Sequence, residues 1–142
     1  MAYRPKKLEK RLMLKLERSS TITSKSQAEI FEFVSDLRNW EKLMPEGKVT
    51  KWTADADNCS FNINNMADLE LQVVSRNEPN SIELKNPSPK PFPISLKLVL
   101  SEQGDVQFQF EGEMNFFLQS VAEKPLGNLF GIMADKLKEQ LD

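Results

Sequence analysis

The side chains that most often carry enzyme chemistry are almost missing from this chain of 142 residues. It contains no histidine and a single cysteine, Cys59. Without histidine the chain cannot form a Ser-His or Cys-His nucleophile pair, a histidine general base or a histidine-ligated metal site. One cysteine cannot form an intrachain disulfide or a thiolate metal cluster. We therefore predict no metal site and no cofactor, and we interpret Cys59 as a small buried hydrophobe.

Two short segments hold the remaining polar side chains that could act in catalysis. Asp36, Arg38 and Asn39 occur where the first predicted helix ends, and Asp55 and Asp57 occur in an Ala-Asp-Ala-Asp stretch. The first group contains good helix caps, and the second favours a turn between strands. General acid–base catalysis needs a carboxylate with a tuned pKa in a dry pocket, and no sequence signal places one there. We therefore assign no catalytic residue.

Charge is unevenly distributed along the chain, whose net charge is −2 and whose isoelectric point is about 5.4. This balance predicts no nucleic-acid partner. Residues 1–11 form a basic N-terminal arm with a net charge of +4, in which Glu9 opposes Arg4, Lys6, Lys7, Lys10 and Arg11. The arm leads into a single predicted domain over residues 12–142. It could make peripheral contact with an anionic membrane surface, or it could be a solvated lead-in to the first strand.

The hydropathy of the chain predicts a cytoplasmic protein. No apolar stretch approaches the length of a transmembrane helix, so no transmembrane segment is expected. The basic arm is also not followed by the apolar stretch that a signal peptide requires.

Two short helices are predicted after the first strand. Ser26 and Glu29 form a capping box, and an apolar stripe at helical spacing follows them. Asn39 can cap a second, shorter helix from Trp40 to Met44, which the following proline ends.

Seven strands are predicted from alternation of apolar and polar residues. The first runs from Leu12 towards Ile22, with a bulge near residues 18–20, and the second surrounds Trp52. Five more alternate regularly over residues 59–63, 69–74, 81–85, 94–101 and 106–111. Strands with one apolar and one polar face are typical of an antiparallel sheet covered on one side.

The last predicted helix runs from about Pro125 to Leu141, because proline suits the first position of a helix. It carries an apolar stripe that would cover the sheet. Gly127, Gly131 and Ala134 form a strip of small residues along one edge of this stripe. The strip allows two readings, a close approach of the helix backbone to the sheet or room for a ligand.

Residues 20–45 resemble the opening of the START-like superfamily, also called SRPBCC. They contain a strand, a helix with Ile30-Phe31, then Asp36, the aromatic Trp40 and Pro45. The superfamily includes polyketide cyclases and dehydrases, lipid-transport proteins and coenzyme Q-binding proteins. The resemblance implies an α+β helix-grip fold: a curved, seven-stranded antiparallel sheet around a long C-terminal helix, with two short helices between strands 1 and 2. It also implies an internal cavity for an apolar molecule.

The residues expected to point into that cavity are all apolar, and each could equally be part of an ordinary core. Because the inward phase of the strands shows no ionisable side chain, we predict non-catalytic binding, as a carrier or sensor, of an apolar small molecule such as a lipid or isoprenoid. A polyketide cyclase- or dehydrase-like enzyme and a protein- or membrane-interaction module with a filled core remain alternatives. The predicted cavity-lining residues are Trp40, Phe61, Ile63, Leu71, Leu84, Leu98, Phe108, Phe110, Phe130, Met133 and Leu137.

Overall fold

A computed structural model describes residues 11–142, and the other residues of the basic arm, 1–10, lie outside the described part. Two helices and a short 3-10 helix accompany the strands within that part. The helices are α1 (Gln27–Ser35), the 3-10 helix (Leu37–Leu43) and α2 (Phe116–Leu141). The strands are β1 (Arg11–Thr21), β2 (Val49–Ala54), β3 (Asn58–Ile63), β4 (Ala67–Asn77), β5 (Ser81–Lys85), β6 (Ile94–Leu100) and β7 (Asp105–Asn115).

The strands form one antiparallel sheet in the order β1-β7-β6-β5-β4-β3-β2. From β2 to β7, strands that are consecutive in the chain are neighbours in the sheet and are joined by short connections. The first strand, β1, pairs with the last strand, β7. The register shifts between Val73 and Ser75, and this irregularity leaves Val74 exposed on the outer face. The prediction of a seven-stranded antiparallel sheet with one helix-covered face is confirmed.

β1 is regular throughout, so the predicted bulge near residues 18–20 is wrong. Its pairing with β7 runs without a shift from Arg11 opposite Asn115 to Thr21 opposite Asp105. Regular alternation places Arg18 on the same side as the buried Leu16. The inner face therefore does carry one ionisable side chain at its rim, contrary to the expectation of none.

Side-chain hydrogen bonds cap the N-termini of α1 and the 3-10 helix. The predicted capping box of α1 is confirmed, because the amide of Glu29 donates to Ser26 Oγ (3.1 Å) and the amide of Ser26 donates to Glu29 Oε1 (2.9 Å). The cap predicted at Asn39 is wrong. Asp36 caps the 3-10 helix by accepting from the amide of Arg38 (3.0 Å), whereas Asn39 Nδ2 donates to the carbonyl of Phe33.

α2 begins at Phe116, nine residues before the predicted start at Pro125. Asn115 caps it by accepting from the amide of Leu118 (2.9 Å). Pro125 therefore lies inside the helix and cannot donate to the carbonyl of Val121. None of residues 116–124 is buried, in contrast to the second part of the helix, which packs on the sheet.

The glycine strip of α2 faces the side chain of Arg18 on β1, which fits the reading of a close approach between helix and sheet. A Cβ atom at Gly127 would lie 2.7 Å from Arg18 Nη2, and one at Gly131 would lie 3.7 Å from Arg18 Nε. The guanidinium thus lies in the shallow depression that the two glycines, which lack side chains, leave on the helix surface.

We expect Gly131→Ala to raise the free energy of unfolding by up to about 1 kcal/mol, because alanine favours a helix and the new Cβ meets only ordinary contacts. Gly127→Ala should gain less, since its Cβ must displace the guanidinium of Arg18. Urea denaturation of both variants measures the difference. Equal stabilisation would mean that Arg18 does not constrain the helix surface.

Candidate functional site

The candidate site is a gap between the inner face of the sheet and α2. The 3-10 helix closes it at one side. The gap has a volume of about 10 Å³, and its lining is entirely apolar. It is lined by Trp40, Met44, Phe61, Leu69, Leu71, Ile94, Leu96, Leu129, Phe110, Phe130 and Met133.

Strand register places the lining side chains opposite one another. Phe61 of β3 pairs with Leu69 of β4, and Leu96 of β6 pairs with Phe110 of β7. The ring of Phe110 lies 5.1 Å, between centroids, from the ring of Phe130 on α2. The sheet and the helix therefore meet through an aromatic contact at the edge of the gap.

Two local features fix the positions of neighbouring side chains. Trp40 is fully buried, and its Nε1 donates to the carbonyl of Val34 (2.9 Å), which holds the indole against the gap. On β7, a Cβ atom at Gly112 would lie 2.8 Å from Met114 Cε and 3.1 Å from the ring of Phe110. Glycine at this position thus leaves the space in which Phe110 packs.

The gap is dry and small in this conformation. A buried water molecule needs two to four polar partners, and none of the lining side chains supplies one. A gap of about 10 Å³ also cannot hold a lipid without movement of the protein. The roomy cavity that the family resemblance implied is not seen in this arrangement.

The predicted lining residues divide into two groups. Six border the gap, and the other five are buried elsewhere in the core. The six are Trp40, Phe61, Leu71, Phe110, Phe130 and Met133, and the five are Ile63, Leu84, Leu98, Phe108 and Leu137. A role in ligand contact stays a prediction for both groups.

Five bordering residues were absent from the predicted set, and each had a signal in the sequence. Leu69, Ile94 and Leu96 share the inward phase of strands whose other members were chosen. Leu129 lies one helical turn before Met133, and Met44 lies four residues after Trp40. The spacing rules that selected their neighbours would also have selected these residues.

The gap offers no group suited to acid–base or nucleophilic chemistry. Every side chain buried in residues 11–142 is apolar or is Cys59. Burial raises the pKa of the Cys59 thiol to about 12, so the sulfur stays protonated and weakly nucleophilic at neutral pH.

The loop carboxylates are held in their ionised form outside the gap. A hydrogen bond from Arg38 lowers the pKa of Asp36, and the two side chains also form an ion pair at 2.6 Å. Amides of Asp57 and Asn58 donate to Asp55 and lower its pKa, as expected for the predicted turn. Acid–base catalysis at neutral pH is most efficient with a pKa near 7, so these carboxyls are poorly tuned for it.

The C-terminal end of α2 is tied to the segment after β1. Asp142 Oδ1 accepts from the amides of Thr23 (2.9 Å) and Ser24 (3.1 Å). Lys138 Nζ donates to Asp142 Oδ2 (2.7 Å) and to the carbonyl of Thr21 (2.7 Å). The hydrogen bond from Lys138 is the main cause that lowers the pKa of Asp142. This end of α2 is therefore held to the segment after β1, whereas residues 116–124 contact the core through two partly buried hydrophobic residues, Leu118 and Ala122.

The described residues contain neither a candidate metal-binding cluster nor a helix that could span a membrane. Across residues 11–142, histidine, cysteine and carboxylate side chains form no group of three that could hold a metal ion. Within the same range, no helix has both the length and the hydropathy needed to cross a bilayer.

Comparison with known proteins identifies the fold. No family model matches the chain, and no curated protein matches it either. Solved structures do match. Norcoclaurine synthase from Thalictrum flavum aligns with a TM-score of 0.67 at 10% identity, over 92% of this chain and 87% of that one. A START superfamily protein from Mycobacterium smegmatis aligns with a TM-score of 0.61 at 9% identity, over 89% and 96% of the two chains.

A third match is the di-domain ARO/CYC protein StfQ from the steffimycin biosynthetic pathway. It aligns with a TM-score of 0.67 at 10% identity, over 92% of this chain and 51% of that one. At such low identity these likenesses concern the fold and not the activity. The chain therefore has the helix-grip fold of the START-like superfamily, as residues 20–45 predicted.

Proposed function

We propose that the protein binds an apolar small molecule, such as a lipid or isoprenoid, between the sheet and α2 without transforming it. The observation that carries this proposal is the lining of the gap, in which all eleven side chains are apolar. Burial of apolar area, worth about 25 cal/mol per Å², would be the main source of affinity. A polar ligand would lose its hydrogen bonds to water and gain none in return.

A ligand must enlarge the gap, and α2 has a part that can move aside. The hydrophobic contact of residues 116–124 with the core is limited to the partly buried Leu118 and Ala122, and Pro125 leaves the carbonyl of Val121 without its helical donor. The contacts of Asp142 meanwhile fix the other end of the helix. We propose that the ligand enters beneath the first part of α2.

Two methionines give the lining itself some freedom to adapt. Met44 and Met133 lie on different elements, the end of the 3-10 helix and α2, and both border the gap. Methionine is unbranched and has three rotatable bonds, so it can change rotamer to fit an added molecule. These two side chains are the ones we expect to move first.

Tryptophan fluorescence tests this proposal, because Trp40 borders the gap and Trp52 does not. Titration with an isoprenoid quinone, which quenches nearby indoles, should give saturable quenching in the native protein. The Trp52→Phe variant should keep this response, and Trp40→Phe should lose most of it while still binding the quinone by equilibrium dialysis. Mass spectrometry of an organic extract would identify any molecule that co-purifies.

The following result would contradict the binding proposal. If the quinone fails to bind saturably, and the extract contains no apolar molecule, the interior does not serve as a binding site.

A filled-core interaction module is the second candidate, and the small volume of the gap, about 10 Å³, favours it. In this alternative the fold presents surfaces, and the basic arm over residues 1–11 contacts an anionic membrane surface. An enzyme of the cyclase type is less well supported, because no acid or base is buried among the described residues.

A further inference from the structure

The two edges of the sheet differ in how well they could pair with another strand. β2, at one edge, has six residues, and its register with β3 shifts between Thr50 and Thr53, where Lys51 has a φ of +57°. Such irregularities keep an edge strand from pairing with another chain. β1, at the other edge, has 11 residues with no bulge and no proline. β1 is therefore the edge that is suited to pairing with a further strand.

The free side of β1 presents the backbone groups of alternate residues. In an antiparallel ladder, the amide and carbonyl of every second residue point to the paired strand, and those of the residues between point away. The amide of Ile22 donates to the carbonyl of Gly104 (2.8 Å), directly beyond the last pair of β1 and β7, so the even-numbered residues of β1 face β7. The odd-numbered residues therefore face the free side, where no strand of residues 11–142 pairs with them. Between the two ends of β1 these residues are Met13, Lys15, Glu17 and Ser19.

Two side chains already bond to carbonyls on the free side of β1. Lys138 Nζ donates to the carbonyl of Thr21 (2.7 Å), and Arg18 Nη1 donates to the carbonyl of Glu17 (2.7 Å). The first contact occupies the end of the strand, so a pairing strand would align with residues 13–19. The second is an exposed contact between neighbouring residues, and Arg18 must release it when a strand pairs there.

The exposed side chains along this edge complement themselves about a two-fold axis. When a second copy of β1 runs antiparallel and the axis passes Leu16, Lys15 of each copy lies opposite Glu17 of the other. Opposite charges directly across two strands stabilise the pairing, and like charges weaken it. A shift of the register by two residues would instead place Lys15 opposite Lys15, or Glu17 opposite Glu17. The charges therefore favour one register of the two strands.

We propose that two copies of this chain associate through β1, so that their sheets join edge to edge about a two-fold axis at Leu16. Backbone hydrogen bonds between the odd-numbered residues hold the two strands together, and the pairs of Lys15 with Glu17 set the register. Each copy contributes the same surface, as in most closed dimers. The proposal goes beyond ligand binding and does not depend on a molecule in the interior.

Size-exclusion chromatography with light scattering tests the proposal on the full chain. The native protein should approach twice the chain mass of 16.3 kDa as its concentration rises. Lys15→Glu places carboxylates opposite each other at both charge pairs of the dimer, and Glu17→Lys places ammonium groups opposite each other at both. Each variant should weaken the dimer by about tenfold. Both side chains are exposed, so circular dichroism and the denaturation midpoint should stay unchanged.

A mixture of the two variants tests the register directly. In a mixed dimer, the carboxylates of Lys15→Glu lie opposite the ammonium groups of Glu17→Lys, so the mixture should associate about as strongly as the native protein. The double variant Lys15→Glu, Glu17→Lys should recover association for the same reason. The matched control is Lys97→Glu, which reverses an exposed charge on β6, away from the edge, and should leave the dimer unchanged.

Three outcomes would overturn the proposal. A native protein that stays monomeric up to about 1 mM does not pair with itself, and its β1 edge is open to a strand of another protein. A dimer that both charge variants leave intact forms through another surface, such as the exposed Phe116 and Phe117 of α2. If the single variants weaken the dimer and their mixture does not associate, β1 does not pair in this register.

Discussion

Replacing Phe130 with alanine is expected to lower the free energy of unfolding by about 3–5 kcal/mol. The side chain is 4% exposed, and its ring lies 5.1 Å, between centroids, from that of Phe110. Alanine removes the apolar surface that Phe130 buries and leaves a void that the sheet and α2 cannot fully close. Urea denaturation, followed by circular dichroism, measures the loss.

The same variant should bind apolar molecules more tightly, because the space left by the ring joins the existing gap. We expect affinity for the isoprenoid quinone to rise by about tenfold, because the ligand no longer has to displace the ring of Phe130 to enlarge the gap. Phe108→Ala is the matched control. Phe108 is 1% exposed but does not border the gap, so its loss should destabilise the protein equally without improving quinone binding.

Two results from this pair of variants would contradict these expectations. Equal quinone affinity in Phe130→Ala and Phe108→Ala would show that the gap is not where the quinone binds. A loss of stability well below the range for Phe130→Ala would show that α2 closes onto the vacated space.

The sheet could be predicted from the sequence because side chains of a strand alternate strictly between two faces. Phe61, Leu71 and Phe110 were assigned inward from that period alone, and all three border the gap. The period does not say how far along a curved sheet a side chain lies from the helix. Leu84 pairs with Leu96 across β5 and β6, yet only Leu96 borders the gap.

The start of α2 was predicted wrongly because two residues, Asn115 and Pro125, each carry a signal for the start of a helix. Pro125 suits a first helical turn, although Leu118 and Ala122 before it lie at helical spacing and pack against the core. Asn115 is the true cap, a preferred residue type for that position, but it also fits the end of a strand. Pro125 lies inside the helix, where the preceding turns contact the core through the partly buried Leu118 and Ala122.

Arg18 shows that a sequence pattern does not specify how individual side chains pack. The sequence prediction placed a bulge near residues 18–20. The structure instead keeps β1 regular and places the guanidinium over Gly127 and Gly131, where solvent still reaches it. The volume of the gap is likewise set by differences of a few tenths of an ångström among side chains, which no residue spacing specifies.

The second large effect is expected at Gly104, in the turn between β6 and β7. Its φ of +92° lies in the region that favours glycine, and its carbonyl accepts from the amide of Ile22 at 2.8 Å. A Cβ atom there would overlap the carbonyl oxygen of Ile22. Gly104→Ala should therefore lower the free energy of unfolding by about 3 kcal/mol or more, of which about 1–2 kcal/mol is the left-handed backbone and the rest is displacement of Ile22.

Gly47→Ala is the matched control, because Gly47 also has a positive φ, +78°, but no atom lies within 4 Å of its Cβ position. It should cost only the backbone part, about 1–2 kcal/mol. Equal losses in urea denaturation would mean that Ile22 yields freely. A larger loss for Gly104→Ala would show that the turn holds Ile22 in place. Because Ile22 leads into Thr23 and Ser24, whose amides donate to Asp142, such a loss would also link this turn to the C-terminal end of α2.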